Sequence, residues 1–193
     1  MLKSISFGKT LVANCQVKIQ PDKFSSFKIF ELEKSDNDYF SKVKESPSWL
    51  GNRFLWIMKE QTQPERFSDD TQIFVLEDEK NQCLGYINLI SRNSKLIQYL
   101  EILPSISNLK NKKFAKNIAS LLVATTVKSA QKESKEKVSA LAFDFNTRKF
   151  YTKTCGFRSG MQSAYDFVID KKDYSRYFDR YVNRGEVNID FKI

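Results

Sequence analysis

The chain has 193 residues, 41% hydrophobic and 28% charged, which are the proportions and length of one globular domain and not of a disordered tail. It contains no histidine. A Ser-His-Asp triad, a Cys-His pair and any His-ligated metal are thereby excluded, and proton transfer falls to Asp, Glu, Tyr, Lys, Cys or water. The net charge of +9 favours anionic partners, nucleic acid among them, although a lysine-rich surface can also be mere solvation.

The first residues lack the long apolar stretch of a secretory signal, so a cytoplasmic location is expected. Ser4–Phe7 (SISF) and Val12–Ile19 (VANCQVKI) read as extended runs around a turn at Gly8-Lys9-Thr10. Phe27–Leu32 alternates like a strand. Ser35-Asp36-Asn37-Asp38 is a helix-start cluster, and Tyr39, Phe40, Val43 and Leu50 follow on a helical period. Trp49–Gln61 reads as a second helix, and the polar, Pro64-containing stretch after it as a loop. Gln72–Leu76, Cys83–Ser91 and Leu96–Leu103 read as three strands of a meander. Pro104–Lys113 is a lysine-bearing loop. Phe114–Lys132 is the longest helical pattern. Its apolar run Ala119–Val127 is far short of the ~20 residues a membrane span requires, so no membrane partner is expected. Val138–Phe143 is a strand and Asn146–Thr154 a short helix, started by Asp144 or Asn146 and ended by a left-handed Gly156. Ala164–Ile169 is extended, Asp173–Tyr181 helical, and Glu186–Ile193 alternates like an edge strand. The three cysteines, Cys15, Cys83 and Cys155, are far apart and odd in number. They read as reduced thiols, and no metal site is expected.

The order predicts an α+β (mixed α/β) fold: a central, mostly antiparallel twisted sheet with a β-α-β crossover and flanking helices. One domain spans 1–193, with an extension at 1–26, a core at 27–168 and a terminal helix and strand at 169–193.

Two segments carry a family resemblance. The segment Phe150-Tyr151-Thr152-Lys153-Thr154-Cys155-Gly156-Phe157, preceded by Leu141–Asn146, resembles the strand-then-FYxKxGF segment of the GNAT (Gcn5-related) N-acetyltransferases. Leu100–Pro104 followed by Phe114–Leu122 resembles that family's cofactor strand, pyrophosphate loop and helix. The resemblance implies acetyl-CoA as cofactor and an acetyl transfer to an amine by direct attack. It carries cofactor contacts onto Ile102, Leu103, Lys113, Phe114, Ala115, Lys116, Asn117, Ile118, Ala119, Ser120, Asn146 and Tyr151. The physical basis is a helix N-terminus that offers unpaired N–H groups to a pyrophosphate. Of the family's Q/R-x-x-G-x-G/A, the aligned Phe114, Asn117 and Ala119 keep only the last, while Lys110, Lys112, Lys113 and Lys116 crowd the loop.

The resemblance also implies roles. Tyr151 is the candidate acid that protonates the leaving thiolate, a task suited to a phenol. One extra residue separates Tyr151 from Gly156 relative to the family, which leaves Thr152 as its rival for the cleft. Glu101, in the apolar strand LIQYLEIL, is the candidate base; a half-buried carboxylate has a raised pKa. The alternative for Glu101 is an outward-facing carboxylate paired with a lysine. The acceptor is open: a protein, an aminoacyl-tRNA (as in toxin members of the family) or a small molecule. A non-catalytic GNAT-like module that binds a protein or nucleic acid is the competing reading. The basic-aromatic stretch Lys171–Tyr181 suits nucleic acid or, alternatively, an amphipathic helix that buries its rings. The terminal strands leave edges that pair either within one chain or across a homodimer.

Overall fold

In the computed structural model, the described residues are 8–20, 23–43, 49–63, 66–102, 112–161, 163–182 and 187–193. Nine strands form one sheet: β1 (Thr10–Gln20), β2 (Lys23–Glu31), β3 (Thr71–Asp78), β4 (Cys83–Ser91), β5 (Lys95–Ile102), β6 (Lys137–Leu141), β7 (Arg158–Ser159), β8 (Asp166–Asp170) and β9 (Val187–Phe191). Their order is β7-β8-β6-β5-β4-β3-β2-β1-β9. Among the described residues, only β5 and β6 run parallel. The fold is therefore α+β around a mostly antiparallel sheet, as the element order predicts.

The period of two along β3 explains why the sheet is covered on both faces. Phe74 and Leu76 point into the larger core, with Leu121, Leu122 and Val127 of α2 (Lys112–Lys132). Ile73 and Val75 point the other way, onto Leu55 and Met58 of α1 (Trp49–Gln61). Within α2, Thr125 and Thr126 are fully buried. Their hydroxyls donate to the carbonyls of Leu121 at 3.0 Å and Leu122 at 3.1 Å, so neither leaves an unmet polar atom in the core. No helix among the described residues is long and apolar enough to cross a membrane.

One buried charge ties β5 to the far end of α2. The Lys95 side chain is 0% exposed. Its ammonium donates to Gln72 Oε1, to Ser129 Oγ at 2.9 Å and to Glu133 Oε1 at 2.6 Å. Burial lowers the Lys95 pKa, against the opposing pull of Glu133. Burial also works to raise the Glu133 carboxyl. Hydrogen bonds from Lys95 and Ser129, with the Lys95 charge, outweigh it and hold the group down at about 2.

Three expectations are corrected. The helix expected from Tyr39 onward is, in the described residues, two single 3-10 turns, Lys34–Asp36 and Tyr39–Ser41. The polar cluster before it hydrogen-bonds locally. The Glu33 N–H donates to Asp36 Oδ2 at 2.9 Å in a reciprocal cap. Local partners of this kind compete with helix propagation. Thr10, expected in a turn, opens β1, paired with Glu31. The short helix after β6 divides into α3 (Phe145–Lys149) and a wider π-type turn, Phe150–Thr154.

Other local signals hold. Asp144 caps α3, with its Oδ1 accepting from the Thr147 N–H at 3.0 Å. Gly156 is left-handed at φ +69°. In the basic-aromatic stretch, Tyr174 and Tyr177 of α4 (Tyr174–Tyr177) are buried, and the Tyr174 hydroxyl donates to Lys135 O at 3.1 Å. Arg176 and Arg180 face solvent. The amphipathic alternative is thus the one the chain adopts. The terminal strands pair with each other inside the chain, from Ala13 with Phe191 to Val17 with Val187. The SISF run lies outside the described residues.

Candidate functional site at two diverging strands

The parallel neighbours β5 and β6 are joined at only three positions: Lys95 with Val138, Leu96 with Ser139 and Ile97 with Ala140. Gln98 is then an extra residue in β5 against β4, a bulge that turns the strand away. β6 stops at Leu141 while β5 continues to Ile102. The β6-facing edge of Gln98–Ile102 therefore has no strand partner among the described residues. A cavity of about 900 Å³ opens along it, walled by Gln98–Ile102, Ala119 of α2, Leu141–Asp144 and the α3 side chains Asn146 and Thr147, with Phe150 and Tyr151 beyond.

Glu101 stands in this wall opposite Tyr86 of β4. The Tyr86 hydroxyl is buried without a hydrogen-bond partner. Loss of hydration pushes the Glu101 carboxyl up from 4.5 to about 7. Burial, and then the nearby Glu101 charge, push the Tyr86 phenol up. A carboxyl that titrates near neutrality can take a proton and give it back at physiological pH. Glu101 lines the cavity, and no ion pair to it is formed among the described residues.

Tyr151 lies across the cavity at 3% exposure. Phe150 at 5.3 Å, Phe157 at 5.1 Å and Phe167 at 6.4 Å, between ring centroids, fix its ring. Burial raises its pKa, so the phenol keeps its proton. The π-type turn resolves the spacing question. The Cys155 N–H reaches back to Phe150 O at 3.0 Å, and this wider turn takes up the extra residue. Tyr151 faces the cavity, whereas Thr152 Oγ1 turns away to donate to Arg148 O at 2.9 Å.

The predicted cofactor residues divide by position. Ile102, Ala119, Asn146 and Tyr151 line the cavity, beside the candidate base Glu101. Phe114 and Ile118 belong to the core, where Phe114 packs 5.8 Å from Phe27. Lys116 is exposed and Ala115 half-buried. Ser120 Oγ donates to Lys116 O at 2.8 Å. Asn117 is 9% exposed and its Nδ2 is buried without a partner. Leu103 and Lys110 lie outside the described residues. Lys113 is in the first turn of α2. Because α2 already begins at Lys112, the N–H groups of Asn117, Ile118 and Ala119 fall inside the helix. Among the described residues, the N–H groups without a helical acceptor are those of Lys112, Lys113 and Phe114.

Three parts of the site were missed in the sequence: Gln98, Tyr86 and Gly85. Only Gly85 carried a signal, an isolated glycine in a strand. A Cβ there would lie 2.8 Å from Glu101 O and 2.9 Å from Ile102 Cδ1. Gly85→Ala is expected to cost about 1–3 kcal/mol and to displace the Glu101 backbone. Urea unfolding measures the first effect, and a shift in any Glu101-dependent pH profile the second. A variant equal to the parent in both would show that the strands slide apart freely.

No family model matches the chain, and no curated protein matches it. Solved structures do. AtaTR bound with AcCoA superposes with a TM-score of 0.57 at 17% identity, over 79% of this chain and 98% of that one. A mutant form of the AtaT toxin bound to the C-terminus of the antitoxin AtaR gives 0.55 at 14% identity, over 80% and 98%. A spermidine N-acetyltransferase SpeG chimera, from Vibrio cholerae and hSSAT, gives 0.53 at 18% identity, over 80% and 99%. With its meander, its long crossover helix and its one parallel pair splayed over a cleft, the chain has the fold of the GNAT N-acetyltransferases.

Proposed function

We propose that this chain is an N-acetyltransferase that moves an acetyl group from acetyl-CoA to an amine. The observation that carries the reading is the placement of Glu101 and Tyr151 in the walls of one cleft, the first titrating near 7 and the second held protonated. The site fits the cofactor. The unpartnered edge of Gln98–Ile102 suits the amides of an extended pantetheine arm. The free N–H groups at Lys112–Phe114 and the orphaned Asn117 Nδ2 suit a pyrophosphate. The phosphate contacts thus fall one turn earlier than the family spacing implies, with Lys113 and Lys116 beside them.

Bound acetyl-CoA supplies an activated acyl thioester and leaves as the thiol. Glu101 removes a proton from the acceptor ammonium, directly or through water, which frees the nitrogen lone pair for attack. Tyr151 donates its phenolic proton toward the departing sulfur and is reprotonated, through water, by the second proton that the attacking nitrogen sheds as the amide forms, while Glu101 passes the first to solvent. The protein forms no covalent bond to the acyl group. Toxin structures of this fold are seen with an antitoxin, and a protein or an aminoacyl-tRNA is the acceptor class that the basic surface favours.

The test is calorimetric titration with acetyl-CoA. Micromolar binding is expected, weakened about tenfold by Lys113→Ala with Lys116→Ala. Tyr151→Phe should leave that binding intact and lower kcat by about 10- to 100-fold on any acceptor found. Absence of binding at millimolar acetyl-CoA would overturn the enzyme reading in favour of a non-catalytic module, the reading that the degenerate loop favours.

A further inference from the structure

A second cavity, of about 640 Å³, shares no wall residue with the cleft and lies between the 3-10 turns and the β3–β4 hairpin. Glu77 lines it, with a side chain only 1% exposed. A carboxylate so buried is costly unless it is paired and hydrogen-bonded. Glu77 Oε1 accepts from the Lys9 ammonium and from the Tyr39 hydroxyl, the latter at 2.6 Å. Glu77 Oε2 is buried and accepts from nothing. The Lys9 ammonium also stands 4.4 Å from the Phe30 ring centroid and 5.4 Å from that of Tyr39. One carboxylate and two ring faces around a primary ammonium form a cation-binding cage. The chain fills this cage with a side chain of its own.

Three observations point beyond Lys9. The cavity is larger than one ammonium needs, and Asp36 and Asp38 extend its acidic wall. With Lys9 and Lys42 counted, the lining stays net negative in a chain of net charge +9. The buried Oε2 is a vacant acceptor at the cage itself. Lys9 also precedes β1 and lies outside its strand pairing, so its stem can leave without breaking the sheet.

We propose that the Phe30–Tyr39–Glu77 cage is an alkylammonium-binding site plugged in cis by Lys9, which an incoming primary ammonium displaces. Glu77 and Tyr39 keep their roles as carboxylate and ring wall; Lys9 moves to water, and no covalent bond changes. The ligand chemistry is that of a small free amine or of a lysine side chain on another protein. The site does not depend on acetyl transfer, and its occupancy is read without any acyl donor.

The experiment titrates the full chain separately with n-butylammonium and with Nα-acetyl-lysine methylamide. The readout is the NMR shift of the Lys9 ε-methylene protons. The Phe30 and Tyr39 rings displace this resonance from its free-lysine value, and displacement of Lys9 by either probe should return it. Lys9→Met, which removes the competing plug, should bind the same probes about tenfold more tightly. Adding Glu77→Gln should abolish that binding. The tighter-binding probe separates the two sources. A Lys9 resonance that stays put through the titration overturns the proposal, as does equal binding by Lys9→Met and the double variant. The wild-type resonance decides the matter should Lys9→Met not fold.

Discussion

Glu101→Gln is expected to lower kcat/KM by about 100- to 10,000-fold, the range for loss of a positioned general base. The wild-type profile should rise with pH through about 7, where the Glu101 carboxyl loses its proton, and the variant should lack that limb. The same substitution should stabilise the fold above neutrality. The folded-state pKa is raised, so between pH 4.5 and 7 the folded chain holds a proton that the unfolded chain has released. Stability therefore falls as pH rises through that window. A neutral Gln does not suffer this loss. The gain at pH 8 should be about 1–2 kcal/mol after allowance for solvent screening of the partly exposed group, and near zero at pH 4. Urea unfolding at the two pH values measures it. A variant that keeps its activity, or one destabilised at pH 8, would remove Glu101 from the base role.

Lys95→Ala should cost about 3–5 kcal/mol, because it leaves Gln72, Ser129 and Glu133 without their shared cation and opens a cavity beneath it. Lys95→Met, which fills the volume, should cost less. The acid limb of stability should change with it. The depressed Glu133 pKa contributes stability present above about pH 4.5 and lost as pH falls toward 2. In Lys95→Met that acid limb should flatten. Chemical denaturation between pH 7 and pH 2.5 reads both effects. Equal midpoints in parent and Lys95→Ala would mean that the buried cluster does not hold β5 to α2.

The elements with strong periodicity were legible in the sequence. α1, β4 and the body of α2 fall where their apolar spacing puts them, and Asp144 and Gly156 do what their side chains and φ preferences dictate. The Lys34–Ser41 segment was not legible, because the Asp36 carboxylate caps the backbone of Glu33 and the distant Thr62 hydroxyl takes the Asn37 carbonyl, stopping a helix that the spacing alone would start. Glu101 and Tyr151 could be named from local words. Their meeting could not, since it depends on where β5 and β6 part, and that follows from the Gln98 bulge. A bulge is a mismatch between two strands and has no signature in either one alone. Lys95 carries no signal of its own in the sequence; only the tertiary fold reveals that three acceptors surround it.

The β1–β9 pairing has a kinetic side. Val17 and Val187 lie about 170 residues apart in sequence and side by side in the sheet. Closing so long a loop is entropically costly, and the ladder repays that cost only once the intervening strands hold the ends near each other. During synthesis β1 leaves the ribosome long before β9 exists. Its outer edge is then a bare row of amides and carbonyls. The chain therefore covers the outer edge of β1 only after β9 has emerged, and until then that edge is open to pairing with a neighbouring nascent chain.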